Sequence, residues 1–319
     1  MIIKDNIYGE FKVGDAVIVE LLRSPSLLRL KNISQYGVPD KYYHLKSYSR
    51  YEHSVGVMLL LRKLGATLEE QVAGLIHDVS HLAFSHVADW VFSEGYKGNE
   101  DLQNTLMKDF IRNSKITGTL TKHGFSTDRL LNEENYSLLE KKIPDLCADR
   151  LDYAIREFKY WLNPGIVEKC LDGLVNYNGE IVFSSQEIAF LFASNFLELQ
   201  TRHWGGFEGV TRYHLFSEAL KLALLEGIIK KKDLYKDEPF ILAKLENHNR
   251  KIEDILSCLK KKDLKDYMCN SGKKVFKKFR YVDPKVINNG ELIRLSSLSK
   301  DFTELLNKHR KINEKGLIV

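Results

Sequence analysis

The hydrophobic pattern of residues 1–230 changes from alternation to helical spacing close to the start of the chain. Residues 2–13 alternate apolar and polar side chains, which predicts a short β-hairpin. From residue 15 onward, apolar side chains recur every three or four positions, as they do on amphipathic helices. This spacing predicts a helical stretch over 15–32 that restarts at Ser24-Pro25-Ser26, and a helix that begins at about residue 68. Further helices are predicted over 51–64, 85–92, 143–162, 185–204 and 210–230.

The remaining part of the chain has a weaker and more mixed pattern. Asn178-Gly179 is a turn signal that precedes an apolar run, and residues 275–282 resemble a strand. A final helix is predicted near Asp301. We therefore expect a mainly α fold, with a helical catalytic bundle and small β-hairpins in residues 1–230. Residues 231–319 are expected to form a small, basic, mixed α+β part.

Composition places the chain among ordinary globular proteins. Apolar residues make up 44% and aromatic residues 11%, which argues against disorder. No apolar run approaches the roughly 20 residues that span a bilayer, and the first residues lack the pattern of a signal peptide. Without a CxxC pair, a cysteine zinc knuckle is excluded. We expect a cytoplasmic protein without membrane contact and with reduced thiols at Cys147, Cys170, Cys258 and Cys269.

Positive charge is concentrated in the C-terminal part. Residues 230–280 contain 16 lysines and arginines and 8 acidic residues, whereas the whole chain has a net charge of +5. Such a basic part can attract polyanions, and we expect a weak nucleic-acid contact there. The alternative is a solvated, lysine-rich surface.

Histidines cluster in one region that also holds an adjacent His-Asp pair. Four of the ten histidines lie between His53 and His86, and three of these fall within ten residues. On a helix, His77 and His81 would point to one side, and Asp78 would reach the same ion from the helix edge. Imidazole and carboxylate ligands together suit a first-row divalent cation. The residues therefore indicate a metal site, although a buried structural histidine is the simpler interpretation of any one of them.

A metal site of this kind is suited to phosphoryl chemistry. A bound cation lowers the pKa of its water from about 15.7 towards about 7 and neutralises charge on a phosphoryl oxygen. Histidines outside the ligand set can then move protons near neutral pH. His81, His86 and Asp89 are the candidates for this outer catalytic role.

Three motifs in order resemble those of the HD-domain phosphohydrolases. Residues 50–57 are similar to the first-histidine motif, residues 74–89 to the His-Asp motif, and residues 148–157 to the last-aspartate motif. The resemblance implies a divalent cation, whether Mn, Fe, Zn, Ni or Mg, bound by His53, His77, Asp78 and Asp149. For the last ligand Asp149 is preferred to its neighbour Asp152.

Within that superfamily, the chain is most similar to the branch that contains the deoxynucleoside triphosphate triphosphohydrolases. This similarity lies in Ile3-Lys4-Asp5, in the segment from residues 29–31 to residues 35–37, and in Phe84-Ser85-His86. It implies hydrolysis of a deoxynucleoside triphosphate to the deoxynucleoside and triphosphate. A homo-oligomer is also expected.

The same resemblance implies a set of substrate contacts. Arg50 and Arg150 lie where the family places basic side chains on phosphate oxygens, a role that guanidinium geometry suits. Tyr153 and Glu157 recur at helical spacing after Asp149, so one helix face would present ligand and sugar contacts together. Core packing and ordinary surface charge are the alternatives for these side chains. The complete set of expected substrate-binding residues is Gln35, Arg50, Arg150, Tyr153, Glu157, Arg202 and Tyr213.

One departure from the branch pattern leaves the reaction open. Asn99 stands where these relatives carry a catalytic histidine, and an amide cannot exchange protons near neutral pH. Two other functions therefore remain: a phosphomonoesterase acting on another phosphorylated metabolite, and a catalytically weak protein that binds nucleotides or nucleic acid.

Overall fold

The computed structural model describes residues 1–92, 102–246, 249–264 and 274–318. Asn99, Cys269 and Lys273 lie outside the described residues, as does the predicted polar break at 95–99. The expected mainly α class is confirmed, because helices dominate and the sheets are small. The longest helices also agree with the apolar spacing that predicted them.

The helices are numbered here in chain order. Those of the first half are α1 Ala16–Leu22, α2 Pro25–Arg29, α3 Asp40–Tyr43, α4 Arg50–Lys63, α5 Leu68–Ile76, α6 Val87–Phe92, α7 Leu102–Arg112, α8 Lys115–Lys122 and α9 Thr127–Leu130. Those of the second half are α10 Ala148–Glu157, α11 Val167–Asp172, α12 Gln186–Leu199, α13 Phe207–Leu225, α14 Glu238–Leu245, α15 Arg250–Leu259, α16 Leu295–Leu298 and α17 Lys300–Glu314.

The strands form small sheets around this helical body. The predicted N-terminal hairpin is confirmed, since its two strands pair antiparallel. The strands are β1 Ile2–Asp5, β2 Gly9–Lys12, β3 Leu174–Tyr177, β4 Glu180–Phe183, β5 Lys274–Val275, β6 Lys285–Asn288, β7 Glu291–Arg294 and β8 Leu317–Ile318. A four-stranded sheet has the order β3-β4-β6-β7, and a two-stranded sheet pairs β5 with β8.

Helix α4 is the central element, and it packs against both α5 and α10. It begins with a capping box in which Ser49 and Glu52 bond each other's backbone N–H groups. Most of its side chains are buried, so the helix is covered all round rather than on one face. Gly56 and Gly74 lie where the helices meet, and a Cβ at either position would collide with the neighbouring helix.

Three sequence predictions differ from the structure. The helix expected at 85–92 begins only at Val87, because Phe84 and Ser85 have φ angles of 66° and 45°. The helix expected at 143–162 begins at Ala148, and its last turn, Phe158–Leu162, is a π-helix. Most of the stretch 275–282 lies outside the strands, since β5 is only Lys274–Val275.

The boundary expected between residues 230 and 231 is bridged by a shared sheet. Phe183 of β4 pairs parallel with Val286 of β6, so a strand from each side of the boundary contributes to one sheet. Helix α13 also packs on α15. The two-part division stays a prediction. Among the described helices, none combines the length and the apolar character that a membrane crossing requires.

Candidate metal centre

Three segments that are distant in sequence bring imidazole and carboxylate groups together. His53 lies in α4, His77 directly follows α5, and Asp149 lies in the first turn of α10. One ligand atom from each lies within 4.8 Å of the other two. With Asp78, we call these residues the histidine–aspartate centre.

The ring of His53 is held in one orientation by a second aspartate. Its Nδ1 donates to Oδ2 of Asp152 over 2.7 Å, and its Nε2 faces Oδ1 of Asp149 at 2.9 Å. Arg156 Nε donates to the same oxygen of Asp152 over 2.8 Å. Asp152 therefore orients the ring, as carboxylates behind metal-binding histidines commonly do, while Asp149 faces the centre.

His77 offers the observation that tests whether a cation fits. Its Nδ1 donates to the carbonyl oxygen of Gly74 over 2.7 Å, which fixes the ring. Its buried Nε2 makes no hydrogen bond with any described residue. That nitrogen lies 3.5 Å from a carboxylate oxygen of Asp78 and 3.5 Å from one of Asp149. Two nitrogens and carboxylate oxygens thus converge on one point, a donor set that suits a first-row divalent cation.

Asp78 is shared between this centre and a buried arginine. Arg50 Nη1 donates to its Oδ2 over 2.5 Å, and that oxygen lies 3.7 Å from Nε2 of His53. Its other oxygen lies 3.3 Å from Nε2 of His81. Arg50 is itself held by Ser85, whose hydroxyl oxygen accepts from Nε over 2.7 Å.

The electrostatics of the centre favour a positive charge. Burial alone would raise the pKa of Asp149, but the adjacent imidazoles of His53 and His77 hold it well below its usual range. Burial lowers the pKa of His77, yet Asp78 and Asp149 outweigh it and raise that pKa to about 10. The pKa of His53 is also raised, by Asp149 and Asp152 against the effect of burial. A divalent cation would take the place of these protons.

His81 and His86 lie on the other side of Asp78. Helix α5 ends at Ile76, so the expectation that one helix carries both His77 and His81 is wrong. His81 nevertheless reaches Asp78, and its ring centroid lies 5.2 Å from that of His86. His86 Nδ1 donates to Oδ2 of Asp89 over 2.9 Å. The pKa of His81 is lowered to about 3, mainly by burial and to a smaller extent by the charge of Arg50.

A pocket adjoins the centre, and we call it the side pocket. It shares Arg50 and His86 with the surroundings of the histidine–aspartate centre. Its wall combines aromatic rings, an amide, a carboxyl and cationic groups. The lining residues are Gln35, Tyr36, Arg50, His86, Tyr153, Glu157, Trp204, Tyr213, Lys277 and Arg280.

Two of the predicted substrate contacts are placed elsewhere. Arg150 is buried, and its guanidinium donates to the carbonyl oxygens of Asp145 and Lys141, which leaves it holding the preceding loop. Arg202 has a side chain that is 65% exposed and pairs with Glu198 one turn earlier on the helix. Neither lines the side pocket, because tertiary packing turns each towards a local partner.

Four pocket residues, Tyr36, Trp204, Lys277 and Arg280, were not among the predicted site residues. Tyr36 directly follows the expected Gln35, and Trp204 ends the π-helical turn after α12. Lys277 and Arg280 come from the basic C-terminal part, where the sequence offers nothing to separate them from neighbouring lysines. Trp204 Nε1 donates to Oε2 of Glu157 over 2.7 Å, so the aromatic wall and the buried carboxyl are directly linked.

Comparison with known proteins agrees with this geometry. The HD domain family matches residues 50–153, the range that contains all four residues of the histidine–aspartate centre. YdhJ, an uncharacterized protein of Bacillus subtilis, is 35% identical over this whole chain and 98% of its own length.

This chain belongs to the HD-domain phosphohydrolase superfamily.

Two further relatives of this HD-domain protein have informative names. The metal-dependent phosphohydrolase cns2 of Cordyceps militaris is 41% identical over 49% of the chain and 45% of its own length. The deoxynucleoside triphosphate triphosphohydrolase SAMHD1 homolog of Dictyostelium discoideum is 35% identical over 28% of the chain and 20% of its own length. The expected enzyme class, an HD-type metal-dependent phosphohydrolase, is confirmed.

A second grouping of ligand atoms, Glu140, Cys147 and Asp149, is less suited to a cation. Burial raises the pKa of the Cys147 thiol well above its usual range, so the thiol stays protonated. The Arg150 guanidinium also lies 3.1 Å from its sulfur. The HD-domain protein therefore has one well-formed candidate cation site among its described residues, and it includes the nitrogens of His53 and His77.

Proposed function

We propose that this HD-domain protein hydrolyses deoxynucleoside triphosphates to the deoxynucleoside and triphosphate. The observation that carries the proposal is the continuity of the histidine–aspartate centre with the side pocket. Arg50 lines the pocket and donates to Asp78 of the centre, and the ring centroid of Tyr153 in the pocket wall lies 6.4 Å from that of His53. A phosphate at the centre therefore leaves the rest of its ester beside Gln35, Tyr153 and Glu157. Aromatic rings and hydrogen-bonding groups in that wall suit a nucleoside.

His53, His77, Asp78 and Asp149 are the proposed ligands of the cation. When bound, the cation would supply an activated water and neutralise charge on the phosphate. Arg50 is placed to donate to a phosphate oxygen while it holds Asp78 in position. Water adds its oxygen to the α-phosphorus as the bond from that phosphorus to the 5′ oxygen breaks, and the 5′ oxygen gains a proton.

The His86–Asp89 pair is the proposed source of that proton. His86 lies in the wall of the side pocket, and Asp89 accepts from its Nδ1, which leaves Nε2 to face the leaving group. His81 contacts Asp78 and is proposed to assist from the same side. Gln35, Tyr153, Glu157 and Tyr213 are proposed to contact the nucleoside.

A nucleotide-panel assay with product identification tests the proposal. Purified protein loaded with manganese should release triphosphate from at least one deoxynucleoside triphosphate. Release of orthophosphate alone, or turnover of a phosphomonoester in place of a triphosphate, would favour the phosphomonoesterase alternative. A complete lack of turnover across the panel and several divalent metals would contradict both enzyme functions.

The variant His77→Ala should lower turnover by about 100-fold or more, since it removes a nitrogen that faces the cation. Its manganese content, measured by elemental analysis, should fall as well. His123→Ala is the matched control, because His123 pairs with Glu20 outside the histidine–aspartate centre. If His77→Ala retained both manganese and turnover, the proposed ligand set would be wrong.

A further inference from the structure

The N-terminal hairpin reaches helix α10 through the carboxylate of Asp5, the last residue of β1. One oxygen of that carboxylate, Oδ1, accepts from the backbone N–H groups of Ile7 and Tyr8 over 2.7 and 3.0 Å. Its other oxygen, Oδ2, accepts from Nη2 of Arg156, in α10, over 2.7 Å. The same carboxylate therefore closes the hairpin turn and docks that turn on α10.

Arg156 is enclosed where the hairpin, α4 and α10 meet. Its side chain is 0% exposed, and that of Asp5 is 5% exposed. The guanidinium carbon lies 5.8 Å from the ring centroid of Tyr8 and 5.7 Å from that of Tyr48. A guanidinium buried to this extent needs its counter-charges close by, and among the described residues these are Asp5 and Asp152.

These three charged groups leave one negative charge in excess, and it faces His53. Nε of Arg156 and Nδ1 of His53 both donate to Oδ2 of Asp152. Because Asp5 shares the charge of Arg156, Asp152 keeps more of its own negative charge for the histidine. A carboxylate behind a histidine N–H fixes the ring and makes its other nitrogen a better metal ligand. Without Asp5, Arg156 would have Asp152 alone and would compete with His53 for that oxygen.

Other contacts attach the hairpin without reaching His53. The ammonium group of Lys159 donates to the carbonyl oxygen of Asn6, and the side-chain amide of Asn6 donates to the hydroxyl of Tyr160 over 3.4 Å. Both contacts are made with the π-helical turn that follows α10. Loss of the Asp5 carboxylate therefore leaves the hairpin with other attachments and changes mainly the charge around the buried guanidinium.

We propose that Asp5 is a positioning residue for the cation at the histidine–aspartate centre, acting on His53 through Arg156 and Asp152. The inference rests on the proposed function, since it takes His53 to be a ligand of the cation. It makes the N-terminal hairpin part of the structure that sets the metal affinity. Because the influence passes through ion pairs, the charge of Asp5 matters and not only its size.

Asp5→Asn tests the charge while it keeps the shape of the side chain. Its amide oxygen can still accept in the hairpin turn, whereas its NH₂ group faces the guanidinium of Arg156. Calorimetric titration of the metal-free full chain with manganese, at one fixed pH, should give a Kd about three- to tenfold higher than for the natural chain. Asp15→Asn is the matched control, because Asp15 pairs with Arg62 near the far end of α4, where Arg62 also contacts Gln71. It should leave the manganese Kd unchanged.

Urea denaturation of the metal-free proteins separates positioning from stability. Asp5→Asn and Asp15→Asn each lose an ion pair and should both lower the midpoint of unfolding, but Asp5→Asn alone should weaken manganese binding. In an Asp152→Asn background, Asp5→Asn should change the manganese Kd by less than about twofold, because the route to His53 is already broken.

Three results would overturn the positioning role: an unchanged manganese Kd in Asp5→Asn, an equal rise in Asp15→Asn, or the full rise in the Asp152→Asn background. Asp5→Ser replaces Asp5→Asn if that variant does not fold, because a serine hydroxyl also accepts in such turns. If deoxynucleotides are not hydrolysed but Asp5→Asn still weakens manganese binding, the proposed function fails and the positioning role stands. If they are hydrolysed and the manganese Kd is unchanged, the positioning role alone fails.

Discussion

Glu157 is a carboxyl whose environment decides its charge. It is buried between Trp204 and Tyr48, and both side chains donate hydrogen bonds to it. Burial raises its pKa to about 8 in spite of these donors and the nearby charge of Arg280. At neutral pH it therefore carries an O–H group, so it both donates and accepts towards a ligand in the side pocket.

The raised pKa of Glu157 predicts a pH-dependent stability. The unfolded chain ionises this carboxyl near its ordinary pKa of 4.5, whereas the folded protein keeps the proton up to about pH 8. The free energy of unfolding should therefore fall as the pH rises through this window, by about 1 kcal/mol per pH unit from this group. Urea denaturation at several pH values should show a shallower fall for Glu157→Gln than for the natural chain.

Glu198→Gln is the control for that comparison, since Glu198 is partly exposed and pairs with Arg202. It should reproduce the pH dependence of the natural chain. Identical slopes in the natural chain and in Glu157→Gln would mean that the carboxyl is ionised in the folded protein, and its role as a donor would be withdrawn.

The contact between helices α4 and α10 sets the geometry of the histidine–aspartate centre. Gly56 of α4 faces Asp152 and Arg156 of α10 so closely that a Cβ would collide with both side chains. Asp152 in turn holds the ring of His53. A glycine that looks ordinary in sequence therefore fixes the separation of the helices that carry His53 and Asp149.

Gly56→Ala should lower the free energy of unfolding by about 1–3 kcal/mol, because the added methyl group overpacks the contact. Manganese affinity should fall by about tenfold as Asp152 shifts away from His53. Gly118→Ala is the matched control, because Gly118 lies at an exposed position of helix α8 and an added Cβ there meets nothing within 4 Å. That change should be neutral or stabilise by roughly 0.5–1 kcal/mol. Thermal denaturation measures the stability of both variants, and a metal titration measures their manganese affinity. Equal losses of stability and affinity in the two variants would show that the close approach at Gly56 does not set the geometry.

Local patterns account for most of what the sequence predicts correctly. Apolar spacing located α4 and α12, and the histidine cluster with its His-Asp pair pointed to a metal site. The complete ligand set with His53 and Asp149 came from the resemblance of the three motifs. The turn after α5 could not be predicted, since its positive φ angles at Phe84 and Ser85 are held by non-local contacts. The pocket position of Lys277 also depends on distant Asn313, so nothing near it in the sequence separates it from Lys278.

At the scale of the whole molecule, a chain of polar contacts joins the C-terminal part to the centre. The carboxylate of Glu238, which begins α14 and is 5% exposed, accepts from the N–H and the hydroxyl of Ser34 over 2.9 and 2.7 Å. The carbonyl oxygen of Ser34 accepts from the hydroxyl of Ser85, and Ser85 accepts from Arg50. Arg50 then holds Asp78, so a residue beyond position 230 positions a proposed ligand.

Glu238→Ala should lower the free energy of unfolding by about 1–3 kcal/mol, because two donors of Ser34 lose their buried acceptor. Turnover should fall, and the manganese content should fall less than in His77→Ala, since the variant reaches the ligand Asp78 only through Arg50 and leaves the histidines in place. Glu246→Ala, which removes an exposed partner of Lys41, should cost less than about 1 kcal/mol. Chemical denaturation and steady-state assays measure both effects. Full turnover in Glu238→Ala would show that the contacts from Glu238 through Ser34 and Ser85 do not position Arg50 and Asp78.

The pair His53 and Asp149 is separated by 96 positions in the chain yet meets at 2.9 Å. Closing a loop costs entropy that grows only with the logarithm of its length, by roughly 0.6 kcal/mol for each doubling. The turn at 113–114, which joins α7 to α8 and is at least partly exposed, lies inside that loop and away from its ends. Extra residues there would lengthen the loop without moving its two end residues, His53 and Asp149. We therefore expect this turn to accept an inserted reporter or a foreign domain without displacing His53 or Asp149.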